Sequence, residues 1–175
     1  MLITSDESVN LESVLIDANN NKWAVNSNWS TYNSQATDWL TDLGDKAIFD
    51  AELVGSWKIL AEYEDSITGQ YFNAEYDISV TVGELNQILL DGHGLTYTVD
   101  ETLDLNPIAV DSAGNLILLD NVDMTWTING QVSTEILKEN GYLFSTEKIG
   151  LYEIQVMSEF GGTSIICDFI HGEPV

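Results

Sequence analysis

Few residues in this chain have the types and spacing that chemistry requires. The two histidines, His93 and His171, stand 78 positions apart. His93 belongs to Asp91-Gly92-His93-Gly94, which could present a metal ligand or a proton-transfer group, although a polar turn accounts for the same residues. Cys167 is the one cysteine, so no intrachain disulfide is available. Its place in an alternating apolar run reads as a small buried side chain rather than a nucleophile. The chain contains no Gly-x-Ser-x-Gly elbow, no phosphate-cradling glycine loop, no His-Glu-x-x-His and no Cys-x-x-Cys. With 29 acidic residues some carboxylate pair will always look suited to glycoside hydrolysis, so that signal discriminates nothing. The reading is of a protein that is not an enzyme.

Binding chemistry is better represented. Asp38, Asp42 and Asp45, and separately Asp120 and Asp123 within Asp120-Asn121-Val122-Asp123, are oxygen-rich groups that suit calcium. Neither has EF-hand spacing, and solvated acidic loops are the competing reading; apart from calcium, no cofactor is implied. Net charge is −24, from 29 acids against 5 lysines. Self-repulsion on that scale predicts that stability rises with salt. A specific calcium site would add to that rise beyond matched ionic strength. Trp23, Trp39 and Trp57 invite stacking on sugar rings; Trp39, in a loop-like stretch, is the exposed candidate, whereas Trp57 alternates with core residues. Asn28-Trp29-Ser30 is the single glycosylation sequon and is consistent with an address outside the cell.

The elements that must position these residues are strands. From Phe72, the residues Phe72, Ala74, Tyr76, Ile78, Val80 and Val82 fall on one face and Asn73, Glu75, Asp77, Ser79 and Thr81 on the other. Period-two alternation over this length marks a half-buried antiparallel strand. The same cadence closes the chain at Ile165, Cys167 and Phe169. An internal repeat links the two halves: Asp6-Glu7-Ser8-Val9-Asn10-Leu11 matches Asp100-Glu101-Thr102-Leu103-Asp104-Leu105 at an offset of 94. Asp17 and Asn21 match Asp111 and Asn115 at that offset, and Trp29, Phe49 and Gly55 answer to Trp126, Phe144 and Gly150. Val82-Gly83-Glu84 and His171-Gly172-Glu173 then read as module joints. The expected domains are residues 1–83 and 84–175.

Each copy offers about seven short strands with turn signals between them. Asp17-Ala18-Asn19-Asn20-Asn21 and Asp111-Ser112-Ala113-Gly114-Asn115 are turns, and Asn129-Gly130 predicts a two-residue hairpin. The stretches Thr37–Gly44 and Ser133–Gly141 suit either one helical turn or a short edge strand. The fold class is therefore all-β: two tandem immunoglobulin-like β-sandwiches. The Asp-x-x-x-Asn turn, the third-strand Trp, the Phe followed by Gly-x-aromatic-x-Ile, and the Val-x-Val-Gly-Glu ending together resemble tandem bacterial Ig-like (Big-type) repeats of prokaryotic surface proteins. That resemblance implies an extracellular or cell-surface place and a spacer or adhesive-stalk role. It implies neighbouring Ig-like repeats of the same parent chain as partners, with other surface proteins or glycans as further ligands.

The charge balance argues against nucleic acid as a partner. No apolar run reaches membrane-spanning length, so no membrane insertion of this segment is expected, and Met1-Leu2-Ile3-Thr4 does not read as a secretory leader. One asymmetry remains. Leu85 to Leu90 should be the first strand of the second copy, and its counterpart in the first copy would fall before Met1. The first sandwich is then expected to show an open edge. A terminus trimmed of that strand is the plain explanation; self-assembly by strand addition from a neighbouring subunit is the alternative, beside a carbohydrate- or protein-binding module.

Overall fold

In the computed structural model, which describes residues 1–172, the chain divides into a first compact unit, Met1–Glu84, and a second that begins at Leu85. The first unit runs β1 (Leu2–Thr4), β2 (Val9–Glu12), β3 (Val14–Ile16), β4 (Lys22–Ala24), β5 (Asn28–Thr31), β6 (Leu40–Asp42), β7 (Lys46–Phe49), β8 (Gly55–Glu64) and β9 (Tyr71–Thr81). One layer has the order β1-β9-β8-β5. Opposite it lie β2-β7-β6 and the short hairpin β3-β4. Val9 and Phe49 from one layer meet Trp57, Ile59, Ile78 and Val80 from the other in a single buried cluster.

The second unit repeats this plan with β10 (Gln87–Leu89), β11 (Thr96–Thr98), β12 (Leu103–Asp104), β13 (Ile108–Val110), β14 (Leu116–Ile117), β15 (Thr125–Ile128), β16 (Gln131–Val132), β17 (Leu143–Phe144), β18 (Gly150–Ser158) and β19 (Gly161–Ile170). Its larger layer is β11-β19-β18-β15-β16, faced by β10-β13-β14 and β12-β17. Leu103, Phe144, Trp126, Ile154, Val156, Ile165, Cys167 and Phe169 fill the space between them. Both units are thus two-layer antiparallel sandwiches of the immunoglobulin-like kind. In each, the first strand of the larger layer runs parallel to the last: Leu2↔Ser79 through Thr4↔Thr81, and Thr96↔Asp168 through Thr98↔Ile170. Flanking bonds extend both ladders, with Ser79 N–H donating to the Met1 carbonyl (2.8 Å) and Val99 N–H to the Ile170 carbonyl (3.1 Å).

The repeat noted in the sequence is a repeat of hydrogen bonds. Asp17 accepts from the backbone of Asn19 and Asn21 and from the Asn21 side chain, each at 2.8 Å. Asp111 accepts from Ala113, Asn115 and the Asn115 side chain at 3.0, 2.8 and 2.9 Å. Glu7 takes the Thr4 N–H (2.8 Å) where Glu101 takes that of Thr98 (2.7 Å). At the hairpin Thr127↔Val132, Ile128↔Gln131, both Asn129 (φ 49°) and Gly130 (φ 77°) are left-handed, as the Asn-Gly pair requires.

Local detail goes beyond the sequence pattern. The apolar run from Val9 to Ile16 forms two strands that part at Ser13, whose Oγ donates to the Val25 carbonyl (2.6 Å). Residues Ser34–Trp39 form a 3-10 turn capped by Asn33 rather than Thr37, and Leu40–Asp42 then joins the sheet. In the second unit the 3-10 turn is shorter, Lys138–Asn140, and ends at left-handed Gly141. The closing hairpin turns at Glu159 and Phe160, with Ser158↔Gly161 as its last pair, so the glycines lie inside the strand. A Cβ on Gly162 would sit 2.2 Å from the Val156 carbonyl, which explains a glycine there. Of the joint His171-Gly172-Glu173, Glu173 lies outside the described residues.

The alternating face of β9 departs from expectation in an instructive way. Ile78 and Val80 are buried, Phe72 is half-buried, and Ala74, Tyr76 and Val82 are exposed. The periodicity is real, but half of the inward row is uncovered.

Candidate functional site

That uncovered row borders an apolar groove of about 300 Å³ in the first unit. One wall is β3 with Val14 and Leu15, the other is β9 with Phe72, Ala74 and Tyr76, and Trp29 and Ala61 lie between them. The second unit shows why the groove exists. There β13, the counterpart of β3, is paired on both sides, by β14 and by β10. The β10 register is Gln87↔Val110, Ile88↔Ala109, Leu89↔Ile108, with Asn86 N–H donating to the Val110 carbonyl (2.9 Å). Ile88 is 2% exposed in the core, and full burial of such a side chain stabilises by roughly 1.5–3 kcal/mol. In the first unit β3 pairs with β4 alone among the described strands. Ile165, under the cover of the second unit, is 2% exposed, while the matching Tyr76 is 43% exposed.

The outward face of β9 is polar and organised. Glu75 accepts from Tyr32 Oη (2.6 Å) and from Lys58 Nζ (2.7 Å), and the Lys58 ammonium also lies 3.6 Å from Asp77. The Lys58 bond first, and the Tyr32 bond second, hold the Glu75 carboxyl below its usual range. Glu12 also lines the groove.

The residues singled out by sequence fare differently. Trp39 is not an exposed sugar platform. It is half-buried against the core with its ring edge-on to Trp57 at 5.0 Å, because the 3-10 turn tucks it under the sheet. Trp57 is buried, with Nε1 donating to the Leu53 carbonyl. Trp23, on β4, is the exposed tryptophan instead (48%). Asn28 is exposed at the first position of β5, paired with Glu62. Cys167 is 1% exposed, its thiol pushed up by burial, which suits packing and not nucleophilic work. His93 sits in the Asp91–Gly94 turn, its Nδ1 3.5 Å from the Ile166 N–H.

The acidic clusters do not converge. Among the described residues no three His, Cys, Asp or Glu side chains gather as a metal-ligand set. Asp42 spends its oxygens on the Gly44 and Trp29 N–H groups, and Asp120 pairs with Lys138. Asp38 and Asp123 are exposed, and the Asp45 carbonyl, not its carboxylate, takes the Ser13 N–H. The melting temperature should rise with sodium chloride, and a specific calcium site would show as a further rise with millimolar calcium at equal ionic strength. A thermal melt in which sodium chloride reproduces the whole calcium effect would dispose of the specific site.

Two carboxylates that sequence matching paired without a role now have one. Asp6 accepts the Glu84 N–H (2.5 Å), and a Cβ on Gly83 would lie 1.9 Å from that carboxylate. Asp100 sits against Gly172 in the same way, a Cβ there falling 1.6 Å from it. The matched Asp and Gly at the two ends of each repeat were the signal. They close each unit upon itself and demand glycine by close approach.

No protein-family profile and no curated protein matches the sequence. Solved structures do. The titin fragment A168169 is similar at a TM-score of 0.45 and 9% identity, over 99% of this chain and 94% of that one. Domains 4 and 5 of the S-layer protein SbsC are similar at 0.41 and 13%, over 90% and 79%. The four N-terminal Ig domains of Dscam1 are similar at 0.41 and 13%; 98% of this chain is covered, but it spans only 42% of that one. At these scores the likenesses carry no argument of their own, and the fold class rests on the strand order and register above. No helix among the described residues is long and apolar enough to cross a membrane.

Proposed function

We propose that the chain is a non-enzymatic pair of Ig-like repeats of the bacterial Big kind, a spacer or adhesive-stalk segment of a larger surface protein. The observation that supports this reading is the duplication of the framework itself. The same acids, Asp6, Glu7 and Asp17, return as Asp100, Glu101 and Asp111 to tie turns and ends, so the residues with chemical potential are used in construction. Repeats built this way are added in series, each burying its own core. Neighbouring repeats of the same parent chain are its natural partners, and an extracellular or cell-surface place follows from that resemblance, with which the Asn28 sequon is consistent.

A glycan array probed with the intact chain tests the reading against a carbohydrate-binding module. The expected result is no saturable glycan binding. Saturable binding lost on Trp23→Ala, the exposed tryptophan, would replace the spacer with a lectin-like role.

A further inference from the structure

We propose that Asn129-Gly130, at the tip of the β15–β16 hairpin, is a self-modifying site. Its side-chain amide is lost to water by way of a cyclic imide, which leaves aspartate and isoaspartate at position 129. The sequence holds two Asn-Gly pairs, Asn129-Gly130 and Asn140-Gly141, and both asparagines are exposed. Glycine has no Cβ to shield its backbone nitrogen from the preceding side chain, so sequence alone gives the two pairs the same chemistry. The fold separates them.

The reaction needs a nucleophile, an acceptor carbon and a leaving group. The Gly130 nitrogen gives its proton to water and bonds to the Asn129 Cγ. The Cγ–Nδ2 bond breaks, and Nδ2 takes up a proton and departs as ammonia. One water molecule then opens the imide at either of its carbonyls. Opening at one restores the ordinary backbone as aspartate; opening at the other routes the chain through the side chain as isoaspartate. In sum one amide nitrogen is exchanged for one oxygen of water, and nothing is oxidised or reduced.

At Asn129 each of these parts is in place. The Gly130 N–H donates to no described residue, and a Cβ there would meet nothing within 4 Å, so the nitrogen stands open to solvent. The Asn129 Oδ1, on which negative charge develops during attack, already accepts the Glu153 N–H at 2.9 Å. Its Nδ2 makes no bond to a described residue and is able to leave. At Asn140 the corresponding groups are engaged. The Gly141 N–H donates to the Lys138 carbonyl (3.0 Å), and the Asn140 Nδ2 donates to the Glu135 carbonyl (3.1 Å). The Asn140 Oδ1 is held by the Leu137 N–H (3.2 Å). Ring closure at Asn129 also requires its backbone to rotate out of the left-handed turn (φ 49°). The edge strand β16 permits this, since it has two residues, both exposed, and pairs with β15 alone among the described strands.

The test stores the intact folded chain in heavy-oxygen water and follows both pairs by mass spectrometry of proteolytic fragments, with fragmentation that tells isoaspartate from aspartate. A portion unfolded in denaturant serves as the comparison. In the folded chain the Asn129 fragment should convert at least about tenfold faster than the Asn140 fragment, each converted copy carrying one heavy oxygen and both product forms appearing. In the unfolded chain the two rates should converge. Equal rates in the folded chain, faster conversion at Asn140, or aspartate without isoaspartate at position 129 would overturn the proposal. A rate difference that persists in denaturant would assign the selectivity to local sequence and refute the role given to the fold.

Discussion

Phe169→Ala is expected to destabilise the second unit by about 3–5 kcal/mol, the range for removing a fully enclosed aromatic side chain. Phe169 is 0% exposed and stands at the centre of a ring cluster. Its centroid lies 5.6 Å from Tyr97, 5.6 Å from Phe144 and 5.5 Å from Tyr152, the last two edge-on. Truncation leaves three rings facing a void and removes the edge-to-face attraction as well as the buried area. Hydrogen exchange resolved by unit is the suitable measurement: amides of β18 and β19 should lose protection while those of β8 and β9 keep theirs. A loss below about 1 kcal/mol would mean that the cluster collapses around the gap, contrary to the packing described.

Asp111→Ala should cost about 3 kcal/mol, and more than Asp17→Ala, although the two turns make the same bonds. Asp111 is 1% exposed, so its removal strands the buried Asn115 N–H away from water. Asp17 occupies an open turn where water replaces the lost acceptor. Denaturant melts of the two variants check the order, and equal losses would show that burial is not what sets the difference. The unit 1 turn has a pH signature of its own. Bonds from the Asn21 side chain and then the Asn21 amide hold the Asp17 carboxyl below the usual aspartate range. Its contribution is therefore complete above that range and is lost as pH falls through the depressed native value.

What could be read from the sequence was whatever is local or repeated. Alternation located β9 and β19, the Asn-Gly pair announced its hairpin, and the offset of 94 matched turns that prove to share their hydrogen bonds. Burial was another matter, because it depends on what lies opposite. Tyr76 and Cys167 both sit on inward rows, yet only the second has a full complement of covering strands. Trp39 was misplaced for the same reason: a loop-like sequence does not reveal that a 3-10 turn will fold its ring onto Trp57. Proximity along the chain also failed for the aspartates, since turns consumed their oxygens one by one.

The parallel pairing of its first and last strands gives the first unit a mechanical character. β1 enters and β9 leaves side by side and in the same direction, whereas in the second unit, where β10 comes first, β11 and β19 are the parallel pair. Tension between the start of β1 and the end of β9 slides one strand along the other, across ladder bonds that share the load. A hairpin such as β8–β9, drawn apart at its open end, would instead unzip one bond after another. Under load the short parallel ladder acts as a latch, and it has to give way in a single step before the core behind it is drawn open.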